Sequence, residues 1–249
     1  NDVTSIGLFP KMGQHSTPAL HLAFGTKDNC FGYLIGEEGK GLTYMFQLMN
    51  TARLGVGLAG TYIASAAYYA SLQYAKERPQ GRELNNKDIN KSQITIIHHA
   101  DVRRMLFSQK AFVEGALSLV MQCYKYVDEE KIAAVEDKER FSDLLELLTP
   151  VAKTYGAETG IISVNYGMQV LGGYGYTKDF ILEQLARDIR VLSLYEGTTG
   201  IQAQAVLGRQ ISLNNGRSLQ YWKEEVQRDV DEAEVFACSS RQSKMLTHF

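Results

Sequence analysis

Three stretches of the chain place side chains where their type and spacing could do chemistry. The first is SLYEGTTGIQ, residues 193–202, where a single carboxylate, Glu196, follows Leu192, Leu194 and Tyr195 and precedes Gly197. A glutamate on a helix surface keeps polar company, so Glu196 reads as a buried, placed acid. Burial beside Tyr195 would raise its pKa, whereas the N-terminus of a following helix and any nearby arginine would lower it; the sign stays open. In either state, a carboxylate on a glycine-flanked turn facing an apolar bundle suits a general base acting on a weakly acidic C–H bond. The plainer alternative is a structural acid satisfied by backbone N–H groups.

The second stretch is NTARLG, 50–55, which sets Arg53 inside an otherwise apolar run. A buried arginine requires an anionic or hydrogen-bonding partner, and a carboxylate is expected. The third is QVLGGYGY, 169–176. Its glycines could cap a helix, or could let a phosphate or sugar approach the backbone at Gly172 and Gly173. No strand opens this segment, so it is no dinucleotide-binding fingerprint of the strand–turn–helix kind. Arg78 stands at the end of a long apolar run, where the helix dipole alone would favour a cation.

The elements that must hold these residues are mainly helical. Residues 18–35 alternate in the strand manner, with Leu20, Leu22 and Phe24 on one face and Phe31, Tyr33 and Ile35 after the turn GTKDN. From Leu42 to about Lys76 apolar residues recur at helical spacing without proline. The stretch RPQGRELNNKDINKS, 78–92, breaks that helix. A second long helix is predicted over 94–127, followed by the charged run DEEKIAAVEDKER as a solvated loop or helix tip. A third covers 142–171, with a kink or break at Pro150. Asp179 is expected to cap a helix over 180–191 that carries a Glu183–Arg187 surface pair. Thr198 or Thr199 is placed to cap another running to about Gln210. Residues 217–236 are amphipathic through Leu219, Trp222, Val226 and Val230, and the final dozen residues read as frayed. The predicted fold class is therefore a short β segment followed by an antiparallel helical bundle.

Composition narrows the function classes. The chain has 249 residues and 45% hydrophobic content, enough for a large core, and its 26 basic against 28 acidic residues give no broad surface for nucleic acid or anionic membrane. No apolar run is long enough to span a membrane. Cys30, Cys123 and Cys238 stand far apart in odd number, which fits a reducing, cytoplasmic compartment. The pair His98 and His99 lacks the spacing that would place two imidazoles on one helix face, so no metal site is expected. The N-terminus reads like the middle of something, and the chain is expected to be a fragment.

Taken together, YEGTTGIQAQ, RPQGRE, HADVRRML and Q-x-x-G-G resemble the acyl-CoA dehydrogenase family over nearly the whole chain. They are most similar to a long bacterial branch that includes the 3-methylmercaptopropionyl-CoA dehydrogenases. By that resemblance, residues 1–40 are the end of the family's middle β domain, 41–212 its C-terminal helical bundle, and 213–249 the start of a further helical extension. The resemblance implies a flavoprotein that uses FAD to oxidise an acyl-CoA thioester to the trans-2-enoyl-CoA and passes electrons to an electron-transfer flavoprotein. Glu196 falls on the position of the α-proton abstractor, Tyr195 on the acyl pocket and Gly197 against the thioester. Asn50 and Arg53 fall on a CoA-contacting element in which the family carries an acid where this chain has asparagine. Arg78, Gln169, Gly172 and Gly173 fall on positions that reach the flavin diphosphate across a subunit interface, and Thr198 and Gln202 on positions near the adenine. The resemblance accordingly implies a homodimer or homotetramer. The N-terminal helical domain and most of the middle domain, which hold the flavin ring, are not in these residues, so weak FAD binding is expected of this piece alone. The alternatives are a catalytically silent member of the same fold, serving as a scaffold or binding protein, and a plain helical interaction domain.

Overall fold

A computed structural model describes residues 2–85 and 88–239, without the side chains of Gln47 and 236–239. Residues 240–249, most of the segment expected to be frayed, lie outside the described residues. Two strands, β1 (Val3–Leu8) and β2 (Leu20–Phe24), pair antiparallel with Val3 opposite Phe24 and Leu8 opposite Leu20. Residues 31–35, which alternate in the same manner as 20–24, are not a strand in the structure. Alternation shows that a segment can be extended, not what it pairs with. In β1 the register shifts between Ser5 and Gly7, and that irregularity spoils the period by which a strand is recognised.

Helix α1 (Gly41–Glu77) has the expected extent and stops where Arg78 turns extended, at ψ 110°. The following Pro79 disfavours helical geometry for the residue before it. Pro79 then bridges to Thr95 and closes the 78–95 loop. Helix α2 (Ala100–Ile132) begins later than predicted because residues 96–98 form a separate 3-10 turn. Helix α3 (Val135–Leu171) begins earlier, so the charged run 128–140 forms two helix tips separated by Ala133 and Ala134.

Pro150 does not break α3. A proline withdraws one backbone donor, and packing on both sides of it carries the helix through. Helix α4 (Leu182–Ile189) is shorter than predicted and Asp179 does not cap it; Ile181, already helical, precedes it without a side-chain cap. The Glu183–Arg187 pair is present at 2.9 Å. Helices α5 (Thr199–Gly208) and α6 (Arg217–Ser239) follow.

The chain divides into two compact units, residues 1–120 with 152–199 and residues 121–151 with 200–249. In the first, Val56, Ala67, Met105, Leu106, Val164, Leu182, Ile189 and Leu192 form the core. Within it α1 and α3 run parallel at backbone contact. A Cβ on Gly57 would fall 2.7 Å from the Ala152 carbonyl oxygen, and one on Gly60 2.7 Å from the Gly156 carbonyl carbon. Helix α2 runs opposite to α3, with the Arg104 guanidinium over the Tyr166 ring at 5.3 Å and Gly115 beside Tyr155.

In the second unit the expected apolar stripe of α6 is not its buried face. Trp222, Val226 and Val230 are 38–45% exposed, whereas Glu225 is 6% and Ser218 0%. Charge, rather than apolar burial, fastens α6. Arg140 pairs with Glu225 at 2.9 Å and Glu224 at 2.8 Å, Arg217 with Asp143 at 2.5 Å and Glu139 at 3.0 Å, and Tyr126 donates to Glu225. Burial would push the Glu225 carboxyl up, but Arg140 and Arg228 hold it below the usual carboxylate range.

Candidate active site

The close crossing of α1 and α3 fixes the geometry at Glu196. Arg53 lies one turn before Gly57 on α1, and a Cβ on Gly57 would be 3.3 Å from the Cα of Lys153 on α3. The two cations reach the same turn. Arg53 Nε donates to the Glu196 carbonyl at 3.2 Å, and Lys153 Nζ donates to the Gly197 carbonyl at 2.8 Å. Arg53 thus meets a backbone carbonyl of this turn. The turn is held in unusual geometry, with Glu196 at φ +55° and Gly197 at φ +93°. A non-glycine residue at positive φ costs of order 1–2 kcal/mol and persists where its surroundings over-determine it, a pattern that clusters at functional sites.

Glu196 is half-buried rather than buried, because Leu194 is 50% and Tyr195 39% exposed. Its apolar neighbours in sequence are not lids over it. Asn50, one turn before Arg53, is exposed. Lys153 is fully buried, and burial lowers its pKa; Arg53 adds to that effect, while Glu158 and Glu196 oppose it. Glu158 also accepts a hydrogen bond from the Thr199 hydroxyl, at the first residue of α5. Thr198 is exposed just before that helix, and Gln202 within it is 1% exposed.

Lys153 and Glu158 were not singled out in the sequence. The signal was available for Lys153, a lone cation in TPVAKTYGA, by the argument that drew attention to Arg53.

The remaining candidates gather elsewhere in the same unit. Arg78, Gln169, Gly172 and Gly173 line a cavity of about 610 Å³, together with Tyr174 and His99. The 3-10 turn Gly172–Tyr176 follows α3 directly. Gly172 sits at φ +60°, and a Cβ on Gly172 or Gly173 would meet no atom within 4 Å, so both backbones face open space. The Arg78 guanidinium lies over the Tyr174 ring at 5.4 Å. No ion pair with a carboxylate neutralises it among the described residues. An accessible cation, two open glycine backbones and an amide side chain form a donor set for an anionic phosphate group. Among the described residues no group of three His, Cys, Asp or Glu is placed to hold a metal ion, and no helix is long and apolar enough to cross a membrane.

Comparison with known proteins agrees with this architecture. Residues 39–211 match the family profile described as acyl-CoA dehydrogenase, C-terminal domain. The chain belongs to the acyl-CoA dehydrogenase family. It is 39% identical over 228 residues to a butyryl-CoA dehydrogenase of Syntrophomonas wolfei, covering 89% of this chain and 37% of that protein. To the 3-methylmercaptopropionyl-CoA dehydrogenase of Ruegeria pomeroyi it is 35% identical over 224 residues, covering 90% of this chain and 37% of that one. The butyryl-CoA dehydrogenase structure from Megasphaera elsdenii shares its fold with TM-score 0.64 and 24% identity, over 83% of this chain and 48% of that chain. The chain thus spans less than two fifths of the length of these two curated relatives.

Proposed function

We propose that the protein carrying these residues catalyses FAD-dependent α,β-dehydrogenation of an acyl-CoA thioester to the trans-2-enoyl-CoA, with Glu196 as α-proton abstractor. The observation that carries this reading is the Glu196–Gly197 turn, held at positive φ with both of its carbonyls engaged by cations from two helices. Family membership supports the reaction class. Glu196 takes the proton from the α-carbon as the C–H electron pair becomes the new double bond, and the backbone N–H of Glu196 polarises the thioester carbonyl that makes that proton acidic. Bound FAD supplies the acceptor for the hydride that leaves the β-carbon. Tyr195 lines the acyl end and Gly197 lies against the thioester, while Asn50 and Arg53 serve the CoA portion.

The donor set around the 610 Å³ cavity fits the flavin diphosphate, and we assign Arg78, Gln169, Gly172 and Gly173 to it, with Thr198 and Gln202 toward the adenine. Reaching a flavin held by another subunit requires a homodimer or homotetramer, and reoxidation is assigned to an electron-transfer flavoprotein. Residues 1–40 are read as the end of the middle β domain, 41–212 as the C-terminal bundle and 213–249 as an added helical extension, all in a cytoplasmic enzyme.

The deciding experiment is dye-coupled oxidation of a panel of acyl-CoA thioesters by the full-length protein, wild type against Glu196→Gln. The substitution keeps size and removes the base, and the rate is expected to fall at least on the order of a hundredfold. An unchanged rate would remove Glu196 from the chemistry, whereas absence of oxidation by the wild-type protein would favour the scaffold reading.

A further inference from the structure

We propose that Lys153 is the positioning residue of the catalytic turn, locking the backbone of Gly197 so that Glu196 is presented in one geometry; this rests on the function proposed above. Lys153 is fully buried, and its one hydrogen bond described in the structure goes to the Gly197 carbonyl at 2.8 Å. An ammonium group is costly to take out of water, and one used merely to satisfy a carbonyl is an expensive substitute for a neutral donor.

Its partner and its location explain the arrangement. Gly197 lies between two peptide planes, and the carbonyl of each is held by a cation: Glu196 C=O by Arg53 and Gly197 C=O by Lys153. Fixing both planes removes the torsional freedom of the residue between them, which as glycine has the most to lose. The N–H groups on the far edges of the same planes are fixed at once, because each peptide is rigid. Misplacement of a base by about 1 Å can cost on the order of a hundredfold in rate, so a flexible glycine beside the base needs such a lock. The groups that face Lys153 are Arg53 from α1, Glu158 from α3 and Glu196 from the turn, and the two carboxylates favour its charged form.

The test uses the full-length flavoenzyme with Lys153→Met, which removes donor and charge at similar volume, and Lys153→Gln, which keeps a donor without the charge. Anaerobic reduction of the flavin is followed with ordinary and α-deuterated acyl-CoA, alongside KM and thermal melting. For Lys153→Met the reduction rate should fall by about tenfold or more with KM within about twofold, and the isotope effect should rise as proton abstraction becomes limiting. Lys153→Gln should regain part of the rate.

A folded Lys153→Met enzyme with wild-type rate and isotope effect overturns the proposal, and so does failure of both variants to fold, which would assign Lys153 to packing alone. If Glu196→Gln retains activity, the function and this inference fall together. If Glu196→Gln is inactive while Lys153→Met behaves as wild type, only this inference falls.

Discussion

Gly57 of α1 and Ala152 of α3 meet so closely that a Cβ on Gly57 would stand 2.7 Å from the Ala152 carbonyl oxygen. Gly57→Ala must therefore push the helices apart, at a cost of about 1–3 kcal/mol typical of overpacking. Gly55 in the same helix has nothing within 4 Å of its would-be Cβ. Gly55→Ala should stabilise the chain by up to ~1 kcal/mol through helix propensity alone. Thermal or denaturant unfolding of the two variants checks the contrast, and equal effects would contradict the backbone crossing.

Acid should release α6 through Glu225. Its carboxyl is held below its unfolded-state value, so the stability it contributes is present above the unfolded pKa of about 4.3 and is lost as pH falls through the lower folded one. In Glu225→Gln the unfolding midpoint should be lower at neutral pH and depend less steeply on pH between roughly 5 and 3. A wild-type slope in that window would mean the Arg140–Glu225 pair contributes nothing.

The two cysteines with described side chains differ sharply. Cys123 is fully buried and burial pushes its thiol up to about 12, whereas Cys30 is exposed. Only the thiolate reacts at appreciable rate. Iodoacetamide at pH 8 should label Cys30 within minutes and leave Cys123 untouched until denaturant is added, as read by peptide mass spectrometry.

Gly172 and Gly173 should separate backbone strain from ligand approach. Gly172→Ala places a side chain at φ +60°, costing about 1–2 kcal/mol of stability. Gly173→Ala meets open space in the folded chain, so its melting should stay within about 0.5 kcal/mol of wild type. In the full-length protein it should nonetheless weaken flavin retention, measured as the flavin-to-protein ratio after gel filtration. Full flavin retention by Gly173→Ala would move the diphosphate away from this turn.

How much could be read in advance depended on whether a residue acts locally or through distant partners. The extent of α1 was legible because its apolar period runs unbroken to Arg78, where Pro79 stops it. Glu196 was legible as an isolated carboxylate, and Gly172 and Gly173 as a cluster. The partner of β2, the continuity of α3 through Pro150 and the polar seat of α6 were not, since each is decided by packing between residues distant in sequence. Arg53 and Lys153 show the same divide: a lone cation in an apolar run announces that it needs a partner, but not that the partner is a carbonyl 143 or 44 residues away.

The two-stranded ribbon of β1 and β2 has a further consequence for handling the protein. Ile6, Leu8, Phe9 and Phe24 are all exposed on it. A ribbon of two strands is marginal in water, and each outer edge presents unpaired N–H and C=O groups to any passing strand. The chain should therefore aggregate from this ribbon first, and charged substitutions at Leu8 and Phe24 are the place to begin improving solubility.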